Sequence, residues 1–206
     1  MPKTLTFFGL ALVLVFGLAL TGFAPVDPAL ENEAKAVILA NPLSPNTTRA
    51  DLDNFRERAV QLHNKISATG DVLTTLSFTE PLASADLLNL LEKYKVQAKV
   101  VNVYAKENSQ DGYVSGAIFV KKGDNLSTTL AESEEKDLVY LDATFLGVIA
   151  VVGFVPGKQI AAIQADEQVY LADVSVDRQF GFNPNNKGKA HHVGDLLYHI
   201  NQDEAS

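Results

Sequence analysis

Ten consecutive residues, Phe145-Leu146-Gly147-Val148-Ile149-Ala150-Val151-Val152-Gly153-Phe154, carry no charge and no strong polar group. A strand with one wet face alternates apolar and polar residues. This run does not alternate, so it reads as a strand buried on both faces. It is also too short to cross a bilayer as a helix, which needs about 20 residues. Pro156-Gly157 closes it, Ile160 and Ile163 stand three apart as in a short helix, and Val169 to Val176 is rich in β-branched residues. Phe145–Val176 therefore reads as strand, helix, strand, with Val148 and Val152 buried on a central strand.

The residues before it give a matching unit. Val72 to Phe78 reads as a strand ended by Glu80-Pro81, and Ser84 as the cap of a helix carrying Leu87, Leu88, Leu90 and Leu91. Val96 to Tyr104 and Tyr113 to Val120 read as a hairpin about the Asn108–Gly112 turn. A polar excursion, Lys121–Lys136, contains a short helical pattern at Thr129–Glu135, and a short strand pattern follows at Leu138–Tyr140. The order predicts an α+β fold over residues 71–176: a ferredoxin-like sandwich, an antiparallel sheet with its helices on one face. Asp142 and Asp173, beside apolar strands, are expected to be solvated or locally paired rather than catalytic.

Residues 1–26 place Lys3 ahead of an apolar stretch, Leu5 to Leu20, broken only by Thr6 and two glycines and extended by Phe23, Ala24 and Val26. A transmembrane anchor and a signal peptide both fit. The best small-residue cleavage site, after Ala24, puts Pro25 at the +1 position, which favours the anchor. Lys3 before the segment and Asp27, Glu31 and Glu33 after it predict that the remainder lies outside the cytoplasm. Secretion after removal of residues 1–26 is the alternative.

Residues 27–70 read as a helical stalk broken at Asn41-Pro42 and Ser44-Pro45. The second stalk helix starts at Thr48, with Asp51 in the capping-box position, and Gly70 ends it. Leu52, Phe55, Ala59, Leu62 and Ile66 follow a 3,4,3,4 spacing, a stripe that packs on the next domain or pairs copies of the chain. His63 is expected to be exposed. Residues 177–206 read as a loop and an amphipathic helix with Val193, Leu196, Leu197 and Ile200 on one stripe.

On that helix His192, Asp195 and His199 fall at i, i+3 and i+7, a spacing that suits zinc or another transition ion but also occurs on any solvated helix face. The positions Gly147, Ile160, Ile163, Val169 and Val174 resemble the second half of subtilisin propeptide and inhibitor domains. The resemblance covers about thirty residues, Gly147 to Val174. It implies a ferredoxin-like module that binds a protease through its sheet. Those inhibitors end in a short protease-binding tail, whereas here a loop and a further helix follow.

Other classes are excluded or unsupported. The chain has no cysteine, which removes disulfides, thiolate nucleophiles, Cys-ligated zinc and iron–sulfur clusters. Its net charge of −8, without a Lys/Arg cluster, argues against nucleic acid. Neither a phosphate loop, nor a dinucleotide fingerprint, nor a nucleophile elbow occurs, and no cofactor is implied. The reading that fits best is a non-enzymatic, membrane-anchored extracytoplasmic module of bacterial type, binding another protein or serving as an accessory subunit of a membrane complex. A secreted protease inhibitor and a metal-binding protein using the C-terminal His/Asp face are the alternatives.

Overall fold

The computed structural model describes residues 27–39, 46–66, 68–109, 112–132, 142–177 and 193–204. The apolar segment 1–26, the Leu138–Tyr140 pattern and His192 lie outside the described residues. Among the described residues no helix is long and apolar enough to cross a membrane.

The described residues begin with two helices, α1 (Pro28–Leu39) and α2 (Arg49–Gln61), and a 3-10 turn, His63–Lys65, follows. Thr48 caps α2 as its sequence predicts. Its hydroxyl accepts from the Asp51 N–H, and the Asp51 carboxylate accepts from the Thr48 N–H at 2.9 Å. Then come β1 (Asp71–Leu82), α3 (Ser84–Tyr94), β2 (Gln97–Glu107), β3 (Tyr113–Phe119), β4 (Ala143–Pro156), α4 (Ile160–Gln164), β5 (Val169–Asp173) and α5 (Gly194–Glu204). Residues 126–132, between β3 and β4, are also helical. The strands form one antiparallel sheet in the order β3-β2-β4-β1-β5.

The uncharged run is β4, and it is central, with β2 on one side and β1 on the other. Val148, Val151 and Val155 are fully buried, whereas Val152, expected to be buried, is only half so. Register explains the difference. Val101, Val151, Leu76 and Ala172 form one row across four strands and face α3, α4 and Leu130. Val152 belongs to the next row, on the opposite face, with Val100, Thr75 and Asp173.

That opposite face is also covered, which corrects the expectation of helices on one face. α5 packs on β1 and β4, and α2 packs on β5. Leu52, Phe55, Ala59 and Leu62 join Leu171, Val174, Val193 and Leu197 in a single apolar cluster. Residues 49–62 are therefore no stalk. Their stripe is buried against the sheet and is not available for pairing copies of the chain. Burying each large apolar side chain contributes about 1.5–3 kcal/mol, so the sheet holds α2 firmly. The C-terminal helix likewise belongs to this core rather than to an appendage.

β1 runs past its expected end at Glu80-Pro81. Its pairing with β4 breaks between Ser77 and Leu82 and resumes at Leu82 opposite Val148. Pro81 has no N–H to give a ladder, which fits a break in register there. Gly147 makes this crossing: its φ is +144°, and a Cβ would stand 2.7 Å from the Leu82 carbonyl oxygen.

Candidate functional site at the aromatic end of the sheet

Four rings meet where α5 crosses the β2–β3 hairpin. Tyr104 of β2 and Tyr113 of β3 stack with centroids 5.5 Å apart and planes within 3°. Tyr198 and His199 of α5 stand edge-on to them, His199 at 5.1 Å from Tyr113 and Tyr198 at 5.4 Å from Tyr104. Each such contact adds about 0.5–1.5 kcal/mol beyond the area it buries. The strands bring the two tyrosines together because Tyr113 lies opposite Lys106, two residues along the same face from Tyr104.

Tyr104 is buried, and its hydroxyl lies 2.6 Å from His199 Nε2. Burial, reinforced by the Asp195 carboxylate and the neighbouring phenols, pushes this hydroxyl well above its ordinary range. The hydroxyl therefore keeps its proton and shares a hydrogen bond with Nε2 of His199. Burial, followed by Tyr113, also raises Tyr198. Three phenols thus surround one imidazole, and burial holds those of Tyr104 and Tyr198 in the protonated form.

Of the predicted metal set, Asp195 and His199 are on α5, as expected, and His192 lies outside the described residues. The Nε2 of His199 is committed to Tyr104. Among the described residues, no three His, Asp or Glu side chains are grouped as a metal site. His63, expected on a wet surface, is mostly buried. Its Nε2–H donates to the Ala172 carbonyl at 2.6 Å, and burial lowers its titration despite that bond.

Asp173 pairs locally, one of the two expected outcomes, but is not solvated. It is buried on the α2–α5 face, accepts the Ser175 N–H at 2.8 Å, and has its carboxyl pushed up by that burial. Thr75, opposite it on β1, is buried with no hydrogen-bond partner for its hydroxyl among the described residues. Asp177 closes the same stretch by accepting the Leu73 N–H at 2.6 Å. Asp142 pairs locally, accepting from the Asn108 amide at 3.2 Å.

A cleft of about 410 Å³ lies between β1, α5 and the β5 entry, lined among others by Arg49, Thr79, Asp86, Tyr170 and Asn201. Arg49 bonds the Asn201 side-chain oxygen at 2.6 Å and Glu204 at 3.2 Å, and Tyr170 donates to Asp53 at 3.0 Å. These bonds tie α2 to α5 and to β5.

No protein family, curated protein or solved structure matches the chain. The face of the sheet opposite α3 and α4 is covered by α2 and α5. The sequence reading missed the ring cluster. Its signal was the placement of Tyr104 and Tyr113 on one face of a predicted hairpin, which becomes informative only once the register is known.

Proposed function

We propose that the protein is a non-enzymatic, membrane-tethered extracytoplasmic module that binds another protein as an accessory part of a membrane assembly. The ring cluster carries this reading. It places Tyr113, Tyr198 and His199 at the surface on a rigid framework, and tyrosine is among the residues most enriched at the centre of protein interfaces. The apolar stretch Leu5 to Leu20 supplies the tether, and Lys3 against Asp27, Glu31 and Glu33 supplies the orientation. We take the fold as a ferredoxin-like sheet extended by one edge strand. Two split units support this, β1-α3-β2 around β4 and β4-α4-β5 around β1.

The test is purification of the full chain from membranes in mild detergent. A stoichiometric partner should accompany the wild type and be lost from a folded Tyr198→Ala variant. Recovery of soluble protein whose N-terminus is Pro25 or later, without a partner, overturns the reading.

A further inference from the structure

The two edges of the sheet are treated differently. At the β5 edge, Gln164 donates to the Tyr170 carbonyl at 3.1 Å and accepts the Ala172 N–H at 2.8 Å, and His63 donates to the Ala172 carbonyl. Side chains thus occupy the backbone groups that could otherwise recruit another strand. β3, the opposite edge, has no such cover among the described residues.

The hairpin bonds fix which β3 groups are open. Glu107 N–H donates to the Gly112 carbonyl, and Val120 N–H donates to the Lys99 carbonyl. The even-numbered residues of β3 therefore bond to β2. Tyr113, Ser115, Ala117 and Phe119 turn their N–H and C=O groups outward, and all four residues are exposed, Phe119 by 70%.

β3 is also symmetric in chemistry about Gly116. Its sequence, Tyr113-Val114-Ser115-Gly116-Ala117-Ile118-Phe119, runs aromatic, β-branched, small, glycine, small, β-branched, aromatic. It has no charge and no proline, the usual devices that prevent edge-to-edge pairing. We infer that β3 pairs antiparallel with β3 of a second copy across a two-fold axis at Gly116, joining the two sheets into one. This rests on the binding-module reading and names one partner as a second copy of the chain.

In that register Tyr113 meets Phe119, Val114 meets Ile118 and Ser115 meets Ala117 of the other copy. The outward residues form the hydrogen-bonded pairs, about eight main-chain bonds in all. The Glu107 carboxylate, which rests against Gly112, comes beside the Val120–Lys121 end of the other copy. Opposite charges then face each other at both ends of the pair. The partner's phenylalanine extends the ring cluster of Tyr104, Tyr113 and Tyr198.

The absence of cysteine makes the register directly testable in the full chain, in its membrane or in mild detergent. Gly116 is a permissive site, because a Cβ there meets only Val103 Cγ2 at 3.4 Å. Gly116→Cys should form a covalent dimer on mild oxidation, since its counterpart is its own copy across the axis. Val114→Cys should stay monomeric, because residue 114 faces residue 118. Ala117→Pro added to Gly116→Cys should abolish the cross-link: it removes an outward N–H and leaves the β2–β3 bonds intact. Equal cross-linking of Gly116→Cys and Val114→Cys, or none from either, overturns the pairing. If the cross-link fails while another protein still co-purifies, the strand pairing is wrong and the binding-module reading stands. If it forms and no other protein co-purifies, the pairing holds and the accessory-subunit reading fails.

Discussion

Gly194, the first residue of α5, lies directly against the backbone of Ile149 in the central strand. A Cβ at this position would overlap the Ile149 carbonyl oxygen and approach its Cβ to 3.0 Å. The neighbouring Val193 N–H donates to the Ser77 hydroxyl at 3.2 Å, so the start of the helix is pinned on two strands. Gly194→Ala should therefore destabilise the fold by about 1–3 kcal/mol, the usual penalty for overpacking. Urea unfolding would show this as a lower midpoint with an unchanged slope.

Asp173 should make stability fall as pH rises. Its folded carboxyl titrates above the ordinary value, chiefly from burial, although the Ser175 bonds oppose this. Below about pH 4 the group is protonated in both states, and its contribution is complete. As pH increases, the unfolded chain ionises first, and stability is lost until pH passes the folded value. Asp173→Asn keeps the shape and can still accept the Ser175 N–H but cannot ionise. The melting temperature of the wild type relative to this variant should therefore fall as pH rises through that window. Parallel curves for the two proteins would show that Asp173 is ionised in the native state.

His63 acts at the other end. Burial lowers its folded titration below the ordinary value of 6.5. Above that value it is neutral in both states. As pH falls, the unfolded chain takes up the proton first, and stability declines until pH passes the lowered folded value. His63→Gln retains a donor for the Ala172 carbonyl and should remove this acid-side decline. Thermal melts of both proteins between about pH 4 and 7 would settle it, and identical slopes would mean that His63 titrates as a free imidazole.

The core elements of the sheet were legible because their signals are local. The uncharged Phe145–Phe154 run, the α3 leucines and the Thr48–Asp51 capping box each specify an element without knowledge of the rest. The layering was not legible. Leu52, Phe55, Ala59 and Leu62 declare an apolar face, but nothing local says whether a sheet or another copy covers it. Gly70 looked like a boundary, and it is a turn with φ at +91° that returns the chain to the same core. His63 was misplaced, and the burial of Asp173 was missed, for a related reason. Polar residues are assumed wet by type, and their burial depends on α2 and the sheet, elements distant in sequence. The ring cluster required the β2–β3 register and the crossing of α5, neither of which spacing reveals.

The position of α2 leads to the most direct test of the architecture. Phe55 is 1% exposed and sits within the cluster that joins α2 to Leu171 and Leu197. Truncating a buried phenylalanine costs about 3–5 kcal/mol, from lost burial plus the cavity left behind. Since domains of this size are stable by about 5–15 kcal/mol, Phe55→Ala should melt far below the wild type. Residues 71–206 alone should fail to fold, because Leu171, Val174 and Leu197 would lose their cover. Glu57, exposed on the same helix, provides the control, and Glu57→Ala should change stability by less than about 0.5 kcal/mol. A free-standing helix predicts the opposite pattern: Phe55→Ala would then melt like Glu57→Ala, and the 71–206 fragment would unfold cooperatively by itself.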